Sequence, residues 1–265
     1  MKAFFKKMLP TPLWRFLRAL RTYHEYWKAR GRRDALTCLS FVLSRDPRLS
    51  VWKKLSIVRQ LYVVSASVES PHLQEEILAF IRAILSLPGQ MEGVIVEAGC
   101  YKGASTAKFS LAADIMNREL VVFDSFQGIP DNSEAHSKTI FGGKAQFEEG
   151  AYCGAADEVK ANVERFGRIA RCSFVEGWFE NTLPTFNKKV AAVYIDVDLA
   201  SSTRTCLKYL HPLLERGGVL FSQDGHLPLV IEVFEDEDFW LNEVGCKKPH
   251  ISGLGERKLI SIKKE

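Results

Sequence analysis

Two aspartates, Asp196 and Asp198, stand in "YIDVDLASST" (194–203), directly after the apolar run Val190 to Ile195, which reads as a buried strand. A third, Asp224, follows another apolar run in "FSQDGH", 28 residues beyond Asp196. If the two runs lie side by side in one sheet, Asp196 and Asp224 come within a few ångströms, where bare carboxylates repel strongly. A divalent cation between them removes that repulsion, and a set of oxygen ligands with room for waters describes a magnesium-like site. His226 supplies a further ligand or a base. The plain alternative makes Asp196 a helix cap and Asp224 a turn residue. Asp198 either orients the loop or joins the ligands.

A second group of residues points to a nucleoside. In "VIVEAGCYKGAST" an apolar run ends at Glu97, Gly99 permits a sharp turn, and Gly103 lets a helix start close to the sheet, with Ser105 in its first turn. Tyr101 takes the place of the middle glycine that a dinucleotide pyrophosphate needs. A tight turn without phosphate clearance favours S-adenosylmethionine, with Glu97 holding an amine or a water. Asp124, 27 residues on in "VVFDSFQGIP", sits where an acid accepts hydrogen bonds from ribose hydroxyls, with Ser125 beside it. Gly177 and Trp178, in "VEGWFENTLP", offer a flat surface for adenine.

These residues need elements to hold them. From residue 93 short apolar runs alternate with helical stretches, the pattern of stacked βαβ units and a parallel sheet covered on both faces. The last run, "RKLISIKKE", reads as a partly exposed final strand. Ahead of the sheet, helical patterns near 34 to 45 and 51 to 67 precede "SPHLQEEILAFIRAILSLPG", where Ser70 and Pro71 look like a cap and first-turn proline. The expected organisation is a basic aromatic segment over 1–33, a helical cap over 34–90 and the catalytic unit over 91–265.

The net charge of +4 is unevenly spread: residues 1–33 carry ten Lys and Arg against one acid, and the remainder sums to −5. Together with Phe4, Phe5, Trp14, Phe16 and Trp27, that segment has the composition of a helix lying on an anionic membrane surface. Its alternative is a helix packed on the domain. No nucleic-acid partner is expected, and assembly into a homo-oligomer stays open. Six scattered cysteines without a C-x-x-C pair suit a reducing compartment. With neither a membrane-spanning run nor a secretory leader, a cytoplasmic protein is expected, peripheral at the inner membrane surface if the basic segment docks there.

In order, "VEAGCYKGAS", "VFDSFQGIP", "DEVKANVERFG", "GWFENTLP" and "IDVDLASST" resemble the motifs of the macrocin-type sugar O-methyltransferases of macrolide and aminocoumarin pathways. The resemblance runs from about Gly93 to Phe234. It implies a Rossmann-like class I S-adenosylmethionine-dependent methyltransferase fold, preceded here by the helical cap. It also implies a magnesium ion chelating neighbouring sugar hydroxyls, with Asp196 as ligand and general base and Asp224 as second ligand. Glu97 and Asp124 would face the cofactor. Two departures stand out. The family's Asp-Asp-Tyr is here Gln223-Asp224-Gly225, so a neutral amide takes the place of an anionic ligand, and the tyrosine after Asp-x-Asp-Leu is here Ala200. The implied acceptor is a sugar hydroxyl of a glycosylated natural product or an envelope glycan. Rival readings are metal-free methylation of a non-sugar acceptor, with Asp196 or His226 as base, and a non-catalytic cofactor-binding protein that docks on membranes.

Overall fold

The structure, a computed structural model, describes residues 34–45 and 48–265. The basic segment 1–33, and the membrane-facing helix expected there, lie outside the described residues. The chain divides into two compact units, Met1–Leu78 and Ala79–Glu265.

In the first unit the chain is helical over 34–43 and again in α1, Val51–Ser67, whose start is capped by the Ser50 side chain accepting from the Lys53 amide. Cys38 lies 3.7 Å from the Tyr62 hydroxyl, and the Lys54 ammonium donates to the Ser44 carbonyl. Contacts that narrow from 38–62 to 44–54 make the two helices an antiparallel hairpin. The next helix, α2, spans Gln74–Ser86 across the division between the units. It does not begin on Ser70 and Pro71 as expected. Glu76 reaches back to accept from the Leu73 amide at 2.7 Å, and a carboxylate is the stronger acceptor for a helix N-terminus.

The second unit is built on β1 (Val94–Ala98), β2 (Leu120–Asp124), β3 (Cys172–Glu176), β4 (Val190–Ile195), β5 (Leu214–Ser222), β6 (Ile251–Ser252) and β7 (Ile260–Lys263). They form one sheet in the order β3-β2-β1-β4-β5-β7-β6, parallel through β5 and antiparallel at β7 and β6. The expected α/β architecture is present. The final strand is partly exposed, as expected: inserted between β5 and β6, it buries Ile260 and Ile262 almost completely and leaves Lys263 exposed. Helices α3 (Ala104–Ile115), α4 (Ala156–Phe166) and α5 (Ala200–Leu213) make the connections, and α6 (Pro228–Glu235) follows β5.

Strand order reverses between β1 and β4, which opens a crevice at their carboxyl ends. Register sets what emerges there. Ala98 pairs with Ile195, and Ile195 with Ser222, so Gly99, Asp196 and Gln223 leave the sheet at one level. The Asp196 amide donates to the Ala98 carbonyl and the Gln223 amide to the Ile195 carbonyl, both at 2.9 Å, which extends the ladder by one rung.

Gly99 turns at φ +83°, and a Cβ added there would lie 2.0 Å from the Asp196 carbonyl oxygen. Gly99→Ala therefore combines left-handed strain with a backbone collision, and a loss of about 3 kcal/mol or more is expected in urea unfolding. The control is Gly150→Ala, at φ +75° with nothing within 4 Å of the added atom. It should lose only about 1–2 kcal/mol, the strain alone. Equal losses at the two positions would count against this account of the turn.

Candidate active site

Each of Asp196, Asp198 and Asp224 offers a carboxylate oxygen, and the three lie within 4.8 Å of one another. Asp196 and Asp198 come from the loop after β4 and Asp224 from the loop after β5, so the expected approach of Asp196 to Asp224 is present. Asp198 joins them because its backbone turns at φ +60°. Asp224 is buried, and its Oδ2 accepts from the Val197 and Asp198 amides at 3.1 and 3.0 Å. Burial first, then the Asp196 charge, pushes its carboxyl up to about 7, against the pull of those two amides and of Lys258. Asp198 is raised well above the usual carboxylate range by burial and by both neighbouring acids, with Lys258 again opposing. An all-oxygen donor set of crowded carboxylates fits a hard divalent cation.

Gln223 is not part of that cluster. Two residues beyond Phe221, the register partner of Tyr194, it falls on the face of the sheet that Tyr194 occupies. Its Oε1 accepts the Tyr194 hydroxyl at 2.7 Å, and its Nε2 is buried without a hydrogen-bond partner. The amide oxygen of Gln223, a residue expected among the metal ligands, is thus engaged in the core, and Asp198 offers the cluster's third carboxylate. His226 is close enough to feel the Asp196 charge, yet burial and Lys258 lower its pKa to about 4, so the ring is neutral at physiological pH. Its Nδ1 is buried without a partner.

Across the crevice the glycine turn is locked by Asp124. Its Oδ2 accepts from the Cys100 amide at 2.7 Å, its Oδ1 from the Phe126 amide at 2.8 Å, and its backbone carbonyl from the Gly177 amide at 3.0 Å. The residue expected to meet a ribose thus also ties three loops together, and each carboxylate oxygen keeps a lone pair for a ligand. Gly103 begins α3 at φ +79°, and an added Cβ would meet Val159 of α4 at 2.9 Å. Tyr101 adopts φ +49° and meets the Tyr152 ring edge-on at 5.7 Å. Ser125 accepts from the Gln127 amide and shapes the following turn, and Trp178 is half-buried next to Gly177. Glu97 and Ser105 are sealed from solvent. Neither Glu97 oxygen has a hydrogen bond of normal geometry, and burial raises its carboxyl to about 8, with only partial relief from the Ser105 and Thr106 hydroxyls.

Three contributors carry no signal in the sequence. Lys258, far along the chain, is a cation close enough to act on Asp198, Asp224 and His226. Tyr152 lies where all three aspartates raise its phenol pKa, after burial as the larger cause. Glu134, in the long connection after β2, takes the Ala200 and Ser201 amides at 2.7 and 2.8 Å and the His136 ring at 2.9 Å, so that connection is pinned to the N-terminus of α5. The Ile140 amide adds a bond to the His226 carbonyl at 2.9 Å.

The sequence profile of the macrocin-O-methyltransferase (TylF) family matches residues 76–237, more than half of the chain. Curated relatives include the 8-demethyl-8-(2,3-dimethoxy-alpha-L-rhamnosyl)-tetracenomycin-C 4'-O-methyltransferase of Streptomyces olivaceus, 31% identical over 141 residues. Another is the demethyldecarbamoylnovobiocin O-methyltransferase of Streptomyces niveus, 31% identical over 137 residues. Each alignment takes in 50% of this chain and 52% of the relative, so the chain spans about half the length of the curated relatives it matches. Among solved structures, the O-methyltransferase NovP has a TM-score of 0.55 at 20% identity, over 72% of this chain and 81% of its own. The calicheamicin methyltransferase CalS11 has 0.55 at 17%, over 88% and 97%. The fold is the Rossmann-like class I fold of these O-methyltransferases.

The buried acids give the site a pH signature. Asp224 and Glu97 hold their protons more tightly folded than unfolded, so their contribution is intact below the ordinary carboxylate range near 4 and is lost as pH climbs through about 7 and 8. In the presence of chelator, unfolding free energy should fall from pH 5 to pH 8 by on the order of a few kcal/mol. Asp224→Asn should flatten part of that slope in urea titrations run at each pH. A wild-type profile level across the range would contradict the assignment.

Proposed function

The chain belongs to the macrocin-O-methyltransferase family, and from that membership we propose that it methylates a sugar hydroxyl of a glycosylated natural product or envelope glycan with S-adenosylmethionine, assisted by magnesium. The observation that carries this reading is the triad Asp196, Asp198 and Asp224, gathered at the crevice of a class I methyltransferase sheet. Its all-oxygen donors favour a hard cation, and the rhamnosyl-bearing substrate in the name of the Streptomyces olivaceus relative favours the acceptor class.

S-adenosylmethionine supplies an electrophilic methyl group, and the turn 99–103 with Asp124 would hold it. Asp196, Asp198 and Asp224 would hold the cation, whose charge lowers the pKa of a hydroxyl beside it. The chain's own part is positioning and proton removal. Asp196, fixed in register at the end of β4, would accept the hydroxyl proton. His226, unprotonated at neutral pH, is the other base within the same pocket. Lys258 tempers the negative field, and the connection pinned by Glu134 bounds the acceptor side. Ala200 leaves room where the family carries a tyrosine. A cytoplasmic enzyme held peripherally at an anionic inner membrane surface by residues 1–33 completes the proposal.

The test is transfer of radiolabelled methyl from S-adenosylmethionine to a panel of nucleotide-linked and glycosylated acceptors. Asp196→Ala should lower kcat/KM by about a thousandfold, in the range of losing a general base together with a metal ligand. Excess chelator should abolish turnover and added magnesium restore it. Undiminished transfer under both conditions would leave the metal-assisted mechanism without support.

A further inference from the structure

The helical hairpin of the first unit presents an apolar surface that its own core does not use. Leu36, Leu39 and Leu43 recur at i, i+3 and i+7 along the stretch 34–43, so they share one face. Leu36 is 66% exposed and Leu43 69%, while Phe41 and Val42 of the same stretch are buried. At the start of α1, Val51 and Leu55 are exposed too, and Trp52 is exposed at 80%. A single exposed leucine is ordinary, but six large apolar side chains exposed on two paired helices point to an interaction surface.

We propose that this hairpin face is a membrane-insertion surface for anionic phospholipid, continuous with the basic segment that precedes it. The inference rests on the peripheral reading above and deepens it: residues 1–33 supply charge, and the hairpin supplies the apolar contact. Arg30, Arg32 and Arg33 lead directly into the hairpin, and the whole preceding segment sums to +9. Anionic headgroups neutralise that charge, whereas a second copy of the chain would bring the same charge against it. Tryptophan suits the boundary between headgroup and acyl chain, with an apolar ring and one polar N–H. Among the described residues no helix is long and apolar enough to cross a membrane, and the contact proposed is one that lies on the bilayer.

Co-sedimentation of the full chain with vesicles of phosphatidylglycerol and phosphatidylcholine, against phosphatidylcholine alone, tests this. The full chain should sediment with the anionic vesicles. Leu43→Ser/Trp52→Ser/Leu55→Ser should lose at least tenfold in partition coefficient with an unchanged melting midpoint. As a second readout that leaves the fold and the apolar face in place, bromine-labelled lipid should quench the tryptophan fluorescence of the wild type more than that of Trp52→Phe. Lys6→Glu/Lys7→Glu/Arg15→Glu/Arg18→Glu tests the basic segment separately. If the hairpin variant binds like wild type while the charge variant does not, the hairpin inference is overturned and the peripheral reading stands. Wild-type protein left in the supernatant overturns both. A hairpin variant that turns an oligomer into a monomer in sedimentation velocity, with vesicle binding intact, overturns the inference in favour of a second copy.

Discussion

Repulsion among three carboxylates at the ends of β4 and β5 is the constraint around which the site is organised. Like charges within 4.8 Å in a half-buried setting cannot all ionise freely, and the fold holds them there against that tendency. Two backbone amides fix Asp224, the register of β4 against β1 and β5 fixes Asp196, and a left-handed backbone fixes Asp198. Lys258 opposes, without cancelling, the burial and then the neighbouring charges that raise Asp198 and Asp224. What is left over is an electrostatic demand for a cation or for protons.

The same economy of backbone amides operates on the cofactor side. Asp124 takes the Cys100 and Phe126 amides with its two oxygens and so joins the end of β2 to the turn after β1. Gly99 packs against the Asp196 carbonyl so closely that no side chain fits. The turn that would cradle the methyl donor and the aspartate that would deprotonate the acceptor are therefore in backbone contact.

The sheet was legible because parallel strands buried on both faces appear as unbroken apolar runs, as in Val190 to Ile195, all of them buried. Asp196 and Asp224 were legible because ligands gather where such runs end. Asp198 was legible only as one of two options, loop or ligand, because membership in the cluster depends on its positive φ and not on its spacing. Glu134, Tyr152 and Lys258 reach the site from irregular connections, Lys258 from the bend just before β7, where sequence distance carries no spatial information. The start of α2 was misjudged because a serine and proline resemble a cap, while the carboxylate of Glu76 is the group that reaches the orphan amide.

Gln223 shows how one neutral residue redistributes charge. The Tyr194 ring packs against Phe80 and Phe109 at 5.1 and 4.8 Å, deep in the unit, and its hydroxyl needs an acceptor. The Gln223 amide oxygen provides it. A carboxylate at 223 would also accept that bond, but it would bury a fourth negative charge next to Asp224, whose own carboxyl is already driven upward. With an amide there, the core stays neutral and the negative charge is confined to the crevice. The third oxygen then comes from the loop after β4, through Asp198. The three carboxylates of the cluster thus stay together without an acid at 223, since Asp198 stands beside Asp196 in the loop after β4.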